Sequence, residues 1–191
     1  TFIVMSWLKT TLIGIPLFLL SWILGAYFSI ANFPKKVFTE QYEKRLKDAG
    51  TSWEFQHRNQ LLDADFRDVV RPAVDFLYST ALLDGQKGPH VLSLPEIDRY
   101  FVVQFMEDDT DVFDYVGSRN YGKNTKIEIL IVPQDYEGPT HNLPLVRMKT
   151  ERVWVLGRYQ LFDDTDLVNV QAIQAQISLV PLSDYLKGST L

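Results

Sequence analysis

Cysteine is absent from the 191 residues. Disulfides, thiolate nucleophiles and cysteine-ligated metals are thereby excluded. Histidine is scarce: His57, His90 and His141 lie far apart, and none has a second histidine at ligand spacing. The nucleophile motif G-x-S-x-G is missing. The loop Gly117-Ser118-Arg119-Asn120-Tyr121-Gly122 lacks both the lysine of a phosphate loop and the three glycines of a dinucleotide fingerprint. The acidic run Glu107 to Asp111 lacks a twelve-residue calcium loop and reads as a solvated turn. Nothing here implies a cofactor, and no catalytic residues are assigned. A basic excess is also missing. The formal net charge is -5, and the stretch 1–36 has three lysines (Lys9, Lys35, Lys36) and no acid. Removing those three from 19 bases leaves 16 against 24 acids, a net of -8 for 37–191. An acidic domain argues against nucleic acid as a partner.

What is present is an uncharged run near the start. Residues 10–31, TTLIGIPLFLLSWILGAYFSIA, carry no formal charge. About 20 apolar residues cross a bilayer core as a helix. The run is longer than a signal-peptide core and has no clear small-residue cleavage site before Phe33-Pro34. The spacing predicts a single uncleaved transmembrane anchor, in contact with lipid. Gly14, Phe18, Ser21 and Gly25 share one face, a candidate helix-packing face on which the phenyl ring must be accommodated. Pro34 should end the anchor or bend the chain. A second, juxtamembrane helix is expected over 38–49, capped by Gly50, lifting the domain off the bilayer. Three regions result: 1–36 flank and anchor, 37–64 juxtamembrane helix and linker, 65–191 domain.

The domain reads as α+β. Strands are expected near 76–83, 89–94, 99–106, 127–132 and 152–161, forming one mostly antiparallel sheet. The run 99–106 is apolar on both faces and should be central. Residues 134–146 read as a long loop, and Gly157 as a bulge or close-approach point. A helix over 166–177, capped by Thr165 or Asp166, should cover the sheet with Leu167, Val170, Ile173 and Ile177. Arg71, Asp75, Tyr78, Arg99, Tyr100, Asp111, Arg119 and Arg158 form a candidate polar cluster. It reads either as a network of arginine–carboxylate pairs or as an anion pocket using the guanidinium fork.

Several of these residues carry a resemblance. Val70-Arg71-Pro72-Ala73-Val74-Asp75-Phe76-Leu77-Tyr78-Ser79, then Arg99 to Phe105, Thr110 to Arg119 and Leu156-Gly157-Arg158 resemble the DUF1254 family, a domain of unknown function. The resemblance covers about Asp65 to Tyr185. Ala73 and Phe76 stand where the family usually has Asn and Thr, which blunts a polar turn. The resemblance implies a short, anchored member without the DUF1214 domain that commonly follows. It gives two expectations. The first is a non-catalytic accessory subunit of the bacterial inner membrane, its domain in the periplasm, bound to a larger membrane complex or a separate DUF1214-like membrane protein. The alternative is a small-molecule (anion or carboxylate) binder or an enzyme of unknown reaction.

Overall fold

The structure, a computed structural model, describes residues 2–61 and 73–188, with side chains except those of 2–11, 48 and 49. Two compact units divide the chain, Thr1–Gln41 and Tyr42–Leu191.

Helix α1, Phe2–Ala49, runs unbroken across Pro16 and Pro34. The expected break at Phe33-Pro34 and the separate helix over 38–49 are therefore corrected to one helix. Pro34 removes a single amide donor, at a cost of about 3 kcal/mol, and strong helical stretches on both sides outweigh it. Within the first unit, Asn32 donates to the Phe28 carbonyl at 2.7 Å and Thr39 to that of Lys35 at 2.9 Å. From Leu12 to Lys47 the helix is long and apolar enough to cross a membrane, with nothing in its most apolar window buried. A signal sequence passes the same test. On the candidate packing face, Ser21 Oγ bonds the Phe18 carbonyl at 2.9 Å, and a methyl built at Gly14 or Gly25 meets nothing within 4 Å.

The second unit is α+β, as expected, but its strands form two sheets and not one. The larger holds β1 (Gln56–His57), β2 (Phe76–Asp84), β4 (Phe101–Met106), β5 (Val112–Gly117) and β8 (Arg152–Gln160), in the order β1-β2-β8-β4-β5. The smaller holds β3 (His90–Leu94), β6 (Ile127–Val132), β7 (Leu145–Arg147) and β9 (Ser178–Pro181), in the order β7-β6-β3-β9. All pairs are antiparallel except β6 with β7. The centre of the larger sheet is β8, with β4 beside it. The long loop ends in β7, and β9 follows the last expected helix.

Alternation explains the core. Leu77, Ala81 and Leu83 of β2, Phe101, Val103 and Phe105 of β4, and Val153 and Val155 of β8 face one way. They share a buried cluster with Leu92, Leu94, Ile127, Ile129 and Ile131 of the smaller sheet. Helix α2 (Leu167–Gln174) adds Val170 and Ile173, and Ile177 follows it into the same core. The helix is shorter than expected. A 3-10 turn, Asp164–Asp166, precedes it, and the cap is Asp163, whose carboxylate accepts the amides of Thr165 and Asp166. Leu167 is only half-buried, because the turn displaces it from the buried face. A final helix, α3 (Leu182–Gly188), closes the described chain.

His90, 2% exposed, sits in β3 beside Trp53. Its Nδ1 lies 3.0 Å from the Gly88 carbonyl, so the proton belongs there, and Nε2 has no partner among the described residues. Burial lowers the His90 pKa against opposing contributions from Gly88 and Asp84, and burial also lowers that of His57. Both are therefore neutral when folded, whereas the unfolded chain binds protons near 6.5. Stability is complete above that value and falls as pH drops below it towards the folded pKa. Urea midpoints should decline from pH 7.5 to pH 5.5, and His90→Gln should flatten part of that decline.

Candidate functional site

The outer face of the larger sheet presents the residues that alternate with its core. The register sets Tyr78 beside Arg158, Arg158 beside Val102, and Val102 beside Gly117. Phe76 pairs with Gln160, and Gln104 with Tyr115. At one end of this face lie Asp84 and Arg152. There the last turns of α1 pack down. Tyr42 Oη donates to Asp84 Oδ2 at 2.8 Å, and Arg45 reaches the Thr80 carbonyl at 3.0 Å and its hydroxyl. The Arg152 guanidinium stands 4.5 Å from the Tyr42 ring centre. Burial comes first among the causes that raise the Tyr42 pKa, followed by its bond to Asp84. The stretch expected to hold the domain away from the membrane is, at its end, part of the domain's own packing.

The other end of the face is open. Phe76, Tyr78, Tyr100, Val102, Gln104, Arg158 and Gln160 are half-buried, and Tyr115 and Arg119 are exposed. Cations stand over the aromatic rings. Arg158 lies 6.0 Å from the Tyr78 ring centre and Arg119 lies 5.6 Å from that of Tyr100. Such contacts contribute roughly 0.5–1 kcal/mol each at exposed sites. Phe76 meets Tyr100 edge-on at 5.9 Å. Neither Arg119 nor Arg158 pairs with a carboxylate among the described residues. Arg158 Nε is buried without an acceptor among them.

The eight candidate polar residues thus separate. Tyr78, Tyr100, Arg119 and Arg158 come together on this open half. Asp75 is exposed at its margin, its carbonyl accepting the Leu161 amide at 2.8 Å. Asp111 is exposed in the acidic turn at the far end of the β4–β5 hairpin, where its carbonyl accepts the Glu107 amide at 2.9 Å. Arg71 lies outside the described residues. Arg99 is sealed elsewhere: 4% exposed, it bonds Asp98 at 2.8 Å and pairs closely with Asp166, while Phe162 covers its guanidinium at 4.8 Å. Burial works against its charge, but the bonds from Asp98 and Asp166 prevail and raise its pKa. Among the described residues of the cluster, a buried arginine–carboxylate network, one of the two readings of the sequence, is found at Arg99. Phe76 and Gln160 belong to the open half but carried no chemical signal in the sequence. Only the pairing of β2 with β8 brings them in.

Two other polar places lie in the domain. His57, a histidine without an evident partner in the sequence, has one: its Nδ1 lies 2.7 Å from Ser79 Oγ. Gln174 donates to the same hydroxyl and to the Tyr78 carbonyl, both at 3.1 Å. Ser79 has no exposed surface, so no substrate reaches its hydroxyl; the trio ties β1, β2 and α2 together. A shallow cleft of about 490 Å³ is lined by Gly85, Gln86, Pro133, Gln134, Asp135, Thr150 and Glu151. Its only ionisable groups are two carboxylates, Asp135 and Glu151, and it offers no acid–base pair of opposite character. Among the described residues, no group of three or more His, Asp or Glu is placed to hold a metal.

Comparison with known proteins agrees with this geometry at the level of fold. The crystal structure of the VPA0106 protein from Vibrio parahaemolyticus matches with a TM-score of 0.63 at 20% identity, covering 81% of this chain and 36% of that one. A putative uncharacterized protein from Burkholderia cenocepacia matches with a TM-score of 0.44 at 16% identity, covering 70% and 37%. The chain therefore spans little more than a third of the length of either protein. No curated protein matches. The family model for proteins of unknown function DUF1254 matches residues 53–181, which takes in both sheets and the open half-face. The chain belongs to the DUF1254 family.

Proposed function

We propose that this protein is a non-catalytic accessory subunit, anchored in the bacterial inner membrane by α1, whose periplasmic domain docks on a partner protein of the membrane. The observation that carries the reading is the open half of the larger sheet. One end of that face is covered by the chain's own helix, whereas the other presents half-buried Phe76, Tyr78, Tyr100 and Arg158 beside exposed Tyr115 and Arg119. Aromatic residues and arginine are the types enriched where proteins meet. The uncharged run in α1 supports the anchor, and a larger membrane complex or a separate DUF1214-like membrane protein is the kind of partner the reading implies.

The test uses the full chain, tagged at its C-terminus and extracted in mild detergent. Wild type should migrate with a partner. Tyr100→Ala should migrate alone, with an affinity loss of about 30-fold, as for an interface residue contributing about 2 kcal/mol. Its thermal midpoint should fall by only a few degrees, since Tyr100 is half-buried and loses its contacts with Arg119 and Phe76, about 1–2 kcal/mol together. Retention of the partner by Tyr100→Ala sinks the reading. The absence of cysteine allows an orientation test. A single cysteine placed at exposed Thr140 should react with a membrane-impermeant maleimide from the periplasmic side. The small-carboxylate binder is the second reading, favoured by the unpaired arginines. It is weakened by the stacking of both guanidinium groups on tyrosine rings of a sheet face, an arrangement of the kind found where proteins meet.

A further inference from the structure

We infer that Arg119 and Arg158 are receptors for two carboxylates carried by the partner protein, so that the docking surface is read by charge as well as by shape. This rests on the docking reading above and adds the chemistry of the occupant. Outside the anchor the chain is acidic, with a net of -8 from 16 bases and 24 acids. The other described arginines of the domain find partners or packing roles within the chain. Arg99 has Asp98 and Asp166, Arg45 has Thr80, Arg147 has the carbonyls of Pro133, Gln134 and Tyr136, and Arg152 stands over Tyr42. Arg119 and Arg158 have tyrosine rings and no carboxylate among the described residues. Asp75, one residue before β2, and Asp114 of β5 form no ion pair with either.

Stacking on a ring restricts the guanidinium before any ligand arrives, so less freedom is lost when its edge meets a carboxylate. The Nε of Arg158 is a buried donor without an acceptor, a state that costs free energy until an acceptor is supplied. The spacing favours two carboxylates over one. Arg158 lies on β8, beside Val102 of β4, and Arg119 follows β5, on the other side of β4. Strands one step apart are about 4.8 Å from each other, so Arg158 and Gly117, the last residue of β5, are about 10 Å apart, and Arg119 lies two residues further on in the turn. Each guanidinium is held over its own ring, Arg158 over Tyr78 and Arg119 over Tyr100, and a single fork already satisfies one carboxylate, so each arginine is assigned its own.

The experiment is carbodiimide coupling in native membranes. The full-length chain carries Arg119→Lys and Arg158→Lys, which keep the charge and supply amines. Carbodiimide joins an amine to a carboxylate only in direct contact. In parallel, a chain with Tyr115 replaced by p-benzoylphenylalanine reports any neighbour of the face, whatever its charge. The expected result is an amide from position 119 or 158 to an Asp or Glu of another polypeptide, identified by mass spectrometry. It should be absent with wild-type arginines, and its yield should fall severalfold as salt rises. A photoproduct without a carbodiimide product overturns the carboxylate inference and leaves docking intact. Neither product overturns both. Carbodiimide coupling to a second copy of this chain overturns the inference of a distinct partner.

Discussion

Arg99→Met should destabilise the folded protein by about 3–5 kcal/mol at pH 7, the cost of breaking a buried ion pair by removing one partner. The site meets the conditions for that figure, since the Arg99 side chain is 4% exposed and that of Asp166 is 9% exposed. Without the guanidinium, Asp166 keeps the Asn169 side-chain amide at 2.8 Å and the Phe162 amide at 3.2 Å but loses its cation. In the wild type burial opposes the ionised form of Asp166, yet these bonds and Arg99 hold its pKa below the ordinary 3.8. The wild-type carboxylate therefore contributes stability above its unfolded value, which is lost as pH falls through its folded value. In Arg99→Met the two contributions from Arg99 are lost and the folded pKa rises relative to that of the wild type. The variant then gains relative stability on acidification, so its deficit should be largest at pH 7 and narrow below about pH 4. Urea unfolding at the two pH values checks this. The double variant Arg99→Met, Asp166→Leu should regain much of the loss at pH 7, since two apolar groups replace the pair without an orphan charge. A deficit that does not change with pH would place the effect in packing.

Gly157→Val should cost about 2–4 kcal/mol, from overpacking and from displacing a core aromatic. The register runs through Gly157 without a shift, opposite Ser79 on one side and Val103 on the other, so no bulge is present. Of the two readings of this glycine, close approach is the one that applies. A Cβ there would collide with the Tyr159 hydroxyl and come within 2.9 Å of its ring. Tyr159 is wholly buried on the same side of β8, and its hydroxyl lies near Ser79 without a well-formed hydrogen bond among the described residues. Burial pushes that phenol far above its ordinary pKa. Tyr159→Phe alone should be neutral or stabilising, because it removes a buried unsatisfied hydroxyl. Gly157→Ala should destabilise less than valine, and adding Tyr159→Phe should recover part of the loss. Thermal midpoints of the four proteins decide it. Equal midpoints for Gly157→Val and wild type would mean that the ring has another place to go.

The five strands read from the sequence are present within two residues at each end, because alternation is a local signal that survives whatever sheet a strand joins. The division into two sheets was not legible. It depends on β8 choosing β2 and β4 while β3 chooses β6 and β9, and each choice spans tens of residues. β1 has two residues and β7 three, too few for a period to show. β9 was hidden because it ends in Pro181. Pro34 misled for a different reason: its cost is local, whereas the fate of the helix is settled by what lies on both sides. The candidate site was legible in composition and not in partition. Arg99 and Arg119 look alike in the chain, yet one meets Asp166 from 67 residues away and the other stacks on Tyr100 near the surface. Phe76 looked like a lost polar group, and the fold makes it an aromatic neighbour of Tyr100.

The position of β8 has a consequence for biosynthesis. The central strand of the larger sheet is residues 152–160, and Phe76 of β2 pairs with Gln160. Neither the inner edge of β2, whose other edge meets only the two residues of β1, nor that of β4 has its permanent neighbour until that segment has left the ribosome. At about 5–20 residues per second, β2 waits on the order of 4–16 seconds with an apolar edge unpaired. The hairpin of β4 and β5, joined by a five-residue turn, forms from neighbouring sequence. The helix at the start, by contrast, is complete before any sheet exists. Nascent chains halted near residue 150 should therefore carry a formed α1 and an open β-rich segment that binds holding chaperones. Chains extended past residue 181, where β9 also has its place, should release them.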